Sequence, residues 1–270
     1  MPSPQTLTAY ARTNAFQSAF ARRAAERTVD VPGGFAALDD TYAHSRANNQ
    51  VFIDGAPGSL DPRALPAVVD EVLAHLPHRM VSVLDDATGR ACAPYLTEAG
   101  YTHSRYVVML HEGPVPAAGA VRAARAAGAA APAGPVGLEA LRRPLARRWR
   151  GFLPVAGDEE IHHLVERRQT RLRGADSVRF IGARTPDGEV AAWADLYADP
   201  AAGTAQIEDL VTSEAHLGQG YGTAVLHAAL RLAAHLPTRF LIADADDWPR
   251  HWYARHGFTV IGHSHNFDRS

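Results

Sequence analysis

The chain has 270 residues, of which 46% are apolar and 21% charged, with a formal net charge of -2, enough for two domains of about 100–150 residues each. That balance gives no global attraction to nucleic acid or an anionic membrane, and no run approaches the roughly 18 consecutive apolar residues of a spanning helix. A single cysteine, Cys92, excludes an internal disulfide framework and multi-cysteine zinc sites, while the absence of lysine among the 27 basic residues excludes Schiff-base chemistry and the P-loop signature. The opening Met1-Pro2-Ser3-Pro4-Gln5 lacks a basic region followed by an apolar run. No secretory signal is therefore expected, and the location is expected to be cytoplasmic.

In chain order, the first half offers a strand at Gln50–Asp54 leading into Gly55-Ala56-Pro57-Gly58. Pro57 and Pro62 remove amides that an anion would need there. A helix end follows at Ala74-His75-Leu76-Pro77, then the apolar run Val81–Leu84, and later Pro94-Tyr95-Leu96 before Gly100-Tyr101. From Gly113 to about Gly137 the composition is almost entirely Ala, Gly and Pro, which predicts a linker at 113–136 between a domain at 1–112 and one at 137–270. Helical periodicity then covers Leu138–Arg150 and Glu159–Arg173. Strands are predicted at Val178–Arg184 and Glu189–Ala198, joined by the turn Thr185-Pro186-Asp187-Gly188, and again at Ala205–Thr212. A helix through about Leu236, a strand at Phe240–Ala243, a short helix around Arg250–His256 and a strand at Phe258–Ser264 complete the pattern.

The two halves echo each other. Ala234-His235-Leu236-Pro237 before Leu241-Ile242-Ala243 repeats the earlier Ala-His-Leu-Pro and strand, and Trp252-Tyr253-Ala254-Arg255-His256-Gly257-Phe258 repeats the later segment closing on Gly100-Tyr101. Two matches in the same order predict duplicated units. Leu96 stands four residues before its glycine, as Tyr253 does before Gly257, so the first unit is expected to lack both an anion loop and that tyrosine.

The most informative stretch runs from Ile207-Glu208-Asp209-Leu210-Val211-Thr212 through Leu217-Gly218-Gln219-Gly220-Tyr221-Gly222-Thr223. A strand ends, and three alternating glycines open a helix. First-turn amides without internal partners, aided by the helix dipole, suit a diphosphate. A dinucleotide-binding βαβ unit would place an acidic residue about 20 residues further on, and Asp244 or Asp246 roughly answers to that. The glycine spacing is wrong for it, however, and too little chain remains after Asp246. The histidines His162, His163, His251, His256, His263 and His265 form no zinc-type set, so no metal is expected. Trp248 and Trp252 are expected to serve packing.

The ordered combination of this strand, the glycine loop and the closing Trp252–Phe258 segment resembles the GNAT superfamily of acyl-CoA-dependent N-acetyltransferases, over about residues 137–270. The resemblance implies an α/β (α+β) fold of two GNAT-like units, the first degenerate. Each would be a mixed, mainly antiparallel sheet flanked by helices, with splayed central strands. Acetyl-CoA is then the cosubstrate: Leu210, Val211 and Thr212 would pair with its pantetheine, and the segment Leu217, Gly218, Gln219, Gly220, Tyr221, Gly222 and Thr223 would hold its diphosphate. Leu217 stands where the family has Arg or Gln. Tyr253 would protonate the leaving thiolate, and Glu208 would take the amine proton, with Asp209 in reserve. Strand alternation would set Glu208 and Asp209 on opposite faces. The expected acceptor is a small, or cationic, amine or a peptide amine, drawn by carboxylates such as Asp195, Asp244, Asp246 and Asp247, in a monomer or homodimer without nucleic-acid or membrane partners. A non-catalytic acyl-CoA-binding protein with the same fold is the alternative.

Overall fold

The computed structural model describes residues 4–56, 58–117 and 133–270. Backbone packing divides the chain into two compact units, Met1–Leu110 together with Ile242–Ser270, and His111–Leu241. The closing segment, assigned from sequence to the domain at 137–270, thus groups with the first unit. Of the expected linker, residues 118–132 lie outside the described residues, while Gly134–Val136 form a strand, β6.

The first unit opens with a helix that sequence periodicity did not reveal, α1 (Pro4–Ala24). Then come β1 (Arg27–Val31), β2 (Gly34–Leu38), β3 (Gln50–Ile53), α2 (Leu65–Val72), β4 (Arg79–Val83), α3 (Asp86–Glu98), β5 (Thr102–His111), and, from the end of the chain, α7 (Pro249–Arg255) and β11 (Phe258–Arg269). The sheet order is β1-β2-β3-β4-β11-β5. β1, β2 and β3 form an antiparallel meander; α2 then returns the chain so that β4 lies parallel to β3, Val51–Ile53 facing Val81–Val83. β11 pairs antiparallel with β4 and delivers Phe267, fully buried, into a core with Val81, Val83, Leu96 and Leu73. This packing is why the closing segment belongs with the first unit. Burying such a side chain contributes about 1.5–3 kcal/mol. Asp85 caps α3 by accepting from the Thr88 amide at 2.8 Å. His265 on β11 donates from Nε2 to Asp86 at 3.0 Å, and its Nδ1 lies 2.9 Å from His103 Nε2 on β5, tying three elements together. Gly89 permits that approach: a Cβ there would meet the His265 ring at 2.2 Å.

The second unit contains β6, α4 (Leu138–Phe152), α5 (Asp158–Glu166), a 3-10 segment at Arg167–Arg173, β7 (Ser177–Arg184), β8 (Val190–Asp199), β9 (Thr204–Thr212), α6 (Tyr221–Leu232) and the first residues, through Leu241, of β10 (Thr238–Asp244). Strand order is β10-β9-β8-β7-β6. The logic of the first unit repeats: β7, β8 and β9 form an antiparallel meander, and α6 returns β10 parallel to β9. The turn Thr185–Gly188 closes as expected, the Gly188 amide donating to Thr185 at 3.0 Å with φ at +87°. α4 covers one face of β8 and α6 the other, so every residue of β8 is buried. The core under α4 and α5 joins Leu141, Leu145, Ile161, Val165, Phe180, Trp193 and Val211. Both units are therefore mixed, mainly antiparallel sheets flanked by helices.

Candidate active site

The register of β8 against β9 breaks at one place. Trp193 faces Val211 and Asp195 faces Glu208, so Ala194 alone stands against both Asp209 and Leu210. This is a β-bulge. Asp209 takes up the extra length at φ +51°, the sole non-glycine with positive φ among the described residues. Aspartate tolerates that region at a cost of about 1–3 kcal/mol. The parallel ladder between β9 and β10 covers Thr204–Ile207 against Thr238–Leu241 and goes no further, while β9 continues to Thr212. The edge of β9 from Glu208 onward is therefore not laddered to β10.

What holds the bulge is a pair of arginines. The predicted helix over 159–173 tightens to 3-10 at Arg167, and in that form residues three apart eclipse. Arg168 and Arg171 thus rise in one column beneath the sheet. Arg168 donates from Nε at 3.0 Å and from Nη2 at 2.6 Å to Asp195 Oδ1. Arg171 donates to Asp195 Oδ2 at 2.6 Å and to Asp209 Oδ2 at 2.7 Å. The Tyr197 hydroxyl also donates to Asp195 at 3.0 Å. Asp195 is wholly buried and fully compensated, so it contributes nothing to drawing in a cation, contrary to the sequence expectation.

Glu208 sits in the same charge field as Asp209, because the bulge cancels the alternation that would have separated them. Its carboxylate accepts from Gln206 Nε2 at 2.6 Å. Burial, and next the Asp209 charge, push its pKa up to about 7. At Asp209 burial acts in the same sense, but Arg171, Arg168 and Arg167 outweigh it and hold the carboxyl well below its usual range. Neighbouring carboxyls driven apart in this way divide the labour: one stays charged, the other is poised to exchange a proton near neutrality.

After β9, a short 3-10 turn at Glu214–His216 leads to the glycines. Gly218 and Gly220 adopt φ of +73° and +83°, and Gly220 caps α6. The amides of Gly218, Gln219 and Gly220 have no backbone acceptor among the described residues, and those of Tyr221, Gly222 and Thr223 form the first turn of α6. A Cβ on Gly222 would come within 2.8 Å of Thr212 Oγ1, so glycine lets loop and strand meet here without displacing that hydroxyl. Gln219 donates to the Ala215 carbonyl at 3.1 Å, steadying the turn, and Leu217 is 59% exposed. The loop thus offers amides without backbone acceptors on a fixed frame, the requirement for holding a diphosphate. Leu210, Val211 and Thr212 lie between bulge and loop on β9.

Tyr253 lies on α7 in the first unit, buried, its ring edge-on to Phe258 at 5.8 Å and to Trp252 at 5.2 Å. Its counterpart Leu96 on α3 is fully buried in the apolar core. Trp252 packs on His256 at 4.5 Å as expected, but Trp248 is 63% exposed and packs little. Two cavities adjoin the bulge, one of about 80 Å³ and one of about 370 Å³, and Trp193, Val211, Phe152 and Arg148 line both. Sequence reasoning missed Arg148, Arg168, Arg171 and Gln206. The available signal was the i, i+3 spacing of Arg168 and Arg171 behind an apolar helical face. No cluster of metal-ligating side chains occurs, and no helix is long and apolar enough to cross a membrane, among the described residues.

Residues 142–258 match the model of the acetyltransferase (GNAT) family. No curated protein matches the chain. Among solved structures it is similar to a GCN5-related N-acetyltransferase from Kribbella flavida, at 18% identity and a TM-score of 0.61, over 96% of this chain and 94% of that one. A functionally unknown conserved protein from Staphylococcus epidermidis aligns at 13% identity and a TM-score of 0.62, covering 89% and 92%. A tandem GNAT protein from the clavulanic acid biosynthesis pathway aligns at 12% identity and a TM-score of 0.53, covering 95% and 94%. At these identities the likeness is one of fold, and it runs along nearly the whole of each chain.

Proposed function

Since residues 142–258 match the model of the acetyltransferase (GNAT) family, we propose that the chain is an N-acetyltransferase acting on an amine, with acetyl-CoA as acyl donor. The observation that carries this reading is the bulge on β9, which sets a carboxyl of pKa about 7 on the strand that leads into a loop whose amides lack backbone acceptors. Acetyl-CoA supplies the activated acyl group and a sulfur leaving group. The chain's own contribution is binding, orientation and proton movement.

An ammonium acceptor must lose a proton before it can attack, and Glu208 is the group whose affinity for a proton matches that task near neutral pH. Gln206 fixes its orientation. Asp209, held charged by Arg171, keeps the Glu208 pKa high without competing for the proton. The amides from Gly218 to Thr223, with Leu217 at their entrance, are assigned to the diphosphate. The free edge of β9 at Leu210, Val211 and Thr212 is assigned to the pantetheine amides, which would lie along it as an added strand does. Tyr253 is assigned as the acid that protonates the departing thiolate, a group of comparable basicity. Residues 1–112, which have leucine at the matching position, take a structural part.

Release of free thiol from acetyl-CoA with a panel of amines tests the reading. The expected result is saturable turnover that falls by about 10²–10⁴-fold in Glu208→Gln and strongly in Tyr253→Phe. Binding of acetyl-CoA without turnover for any amine would instead establish a non-catalytic acyl-CoA-binding protein.

A further inference from the structure

Trp193 is 1% exposed, and its indole Nε1 is buried without a hydrogen-bond partner among the described residues. Buried N–H groups are nearly always paired, so one that is not calls for a reason. Core packing supplies none. The cluster to which Trp193 belongs, with Leu141, Leu145, Phe180, Val190 and Val211, carries no side-chain acceptor. Asp195, on the same face of β8 by alternation, has its carboxylate taken up by Arg168, Arg171 and Tyr197. Yet the Trp193 ring walls both cavities beside the bulge. The core offers this N–H no acceptor, which leaves the cavities as the side from which one arrives.

The larger cavity, of about 370 Å³, is of the size that holds a small molecule, and Phe152 and Val211 give it apolar wall beside Trp193. We infer that Trp193 sets acceptor specificity: its indole N–H donates to an oxygen that the acceptor carries, on an apolar body, besides its reacting amine. Trp193 faces Val211, three residues beyond Glu208 on β9, roughly 10 Å of strand. With a hydrogen bond of about 3 Å at each end, oxygen and amine stand only a few atoms apart. An amine without the oxygen leaves the N–H unpaired in a site emptied of water, so the wrong acceptor is penalised as well as the right one favoured. This inference rests on the acetyl-transfer reading, with Glu208 as base, and narrows it from amines in general to oxygen-bearing ones.

Two probes isolate the oxygen: 2-(benzyloxy)ethylamine and 4-phenylbutylamine share ring, amine and chain length and differ by an oxygen in place of a methylene. That exchange also alters transfer from water, so the quantity to read is the ratio of their two Kd values. It is measured by calorimetry on the full chain, with and without coenzyme A, in the wild type and in Trp193→Phe, which keeps a ring and removes the N–H. The substitution is expected to shift the ratio against the ether by at least about five-fold, the scale of one hydrogen bond. A second reading needs no variant in the binding experiment. With tryptophan labelled by nitrogen-15, the chain gives four indole N–H signals. That of Trp193 is identified by its loss in Trp193→Phe or, should that variant not fold, by elimination with Trp149→Phe, Trp248→Phe and Trp252→Phe. It is expected to move downfield with the ether and not with the alkylamine. An unchanged ratio, a shift in favour of the ether, an indole signal that the ether leaves in place, or binding of neither amine overturns the inference. Thiol release is followed in parallel. If amines release thiol while ratio and signal stay fixed, the oxygen contact falls and acetyl transfer stands; if both move while no amine releases thiol, acetyl transfer falls and the contact remains.

Discussion

Glu208 and Asp209 are adjacent in sequence and opposite in electrostatic character, and that difference yields predictions. Glu208 has a folded pKa raised to about 7, so its neutral form is favoured in the folded state. The stability it contributes is complete below the ordinary carboxyl range and is lost as pH rises through about 7. Glu208→Gln should therefore raise the melting temperature more at pH 8 than at pH 5, which differential scanning calorimetry reads directly. Transfer has the opposite slope: kcat/KM should climb with pH through an apparent pKa near 7 in the wild type, and this limb should disappear in Glu208→Gln. Asp195, wholly buried between two arginines, is structural in the same account. Asp195→Ala should cost about 3–5 kcal/mol by urea denaturation, because both guanidinium groups lose a buried partner. Arg150→Ala, which breaks the exposed pair with Asp158, should cost no more than about 1 kcal/mol. Glu208 could be singled out from sequence because it stands in a recognisable strand before the glycines. The arginines could not: Arg171 reaches Asp195 and Asp209 across 24 and 38 residues of chain, distances over which local pattern carries no information.

At the scale of elements, periodicity found the strands and helices of the second half to within a few residues, because each has one or both faces against a core. It missed three features for physical reasons. The segment 159–173 keeps apolar spacing only to Val165, after which 3-10 geometry brings Arg168 and Arg171 into one column. α1 hides because few of its side chains are fully buried, Thr13 and Phe16 among them, so its apolar stripe is thin. The bulge was equally hidden, since nothing in Ile207–Thr212 marks where one residue will be extra. Gly100 and Gly257, by contrast, were legible as matching helix ends, and they adopt φ of +86° and +85°. Substituting alanine at either should cost about 1–2 kcal/mol, since a Cβ is disfavoured there. A neutral effect at Gly257 in thermal melts would show that its left-handed turn is not required.

For the whole molecule, a duplication was visible in the repeated Ala-His-Leu-Pro and glycine-aromatic segments, and the structure shows a meander, a returning helix and a parallel strand in both units. The grouping of 242–270 with the first unit was not visible, because sequence order says nothing about which β-strand receives the last one. It has a consequence. A fragment of residues 1–112 lacks β11, and with it the Phe267 ring that fills the core beside Val81 and Val83. The fragment should bind hydrophobic dyes and melt without cooperativity, whereas a sharp transition would show that the first unit needs no closing strand. The central claim concerns the other end of β9, where bare amides from Gly218 to Thr223 are assigned to a diphosphate. Its most direct measurement is calorimetric titration of acetyl-CoA into the wild type and into Gly222→Val, whose branched side chain must displace Thr212 Oγ1 and crowds the first turn of α6. The account predicts saturable binding to the wild type and a loss of at least about ten-fold, equivalent to 1.4 kcal/mol, in a variant that still folds. Undiminished affinity in Gly222→Val, or no heat of binding in the wild type, would contradict it.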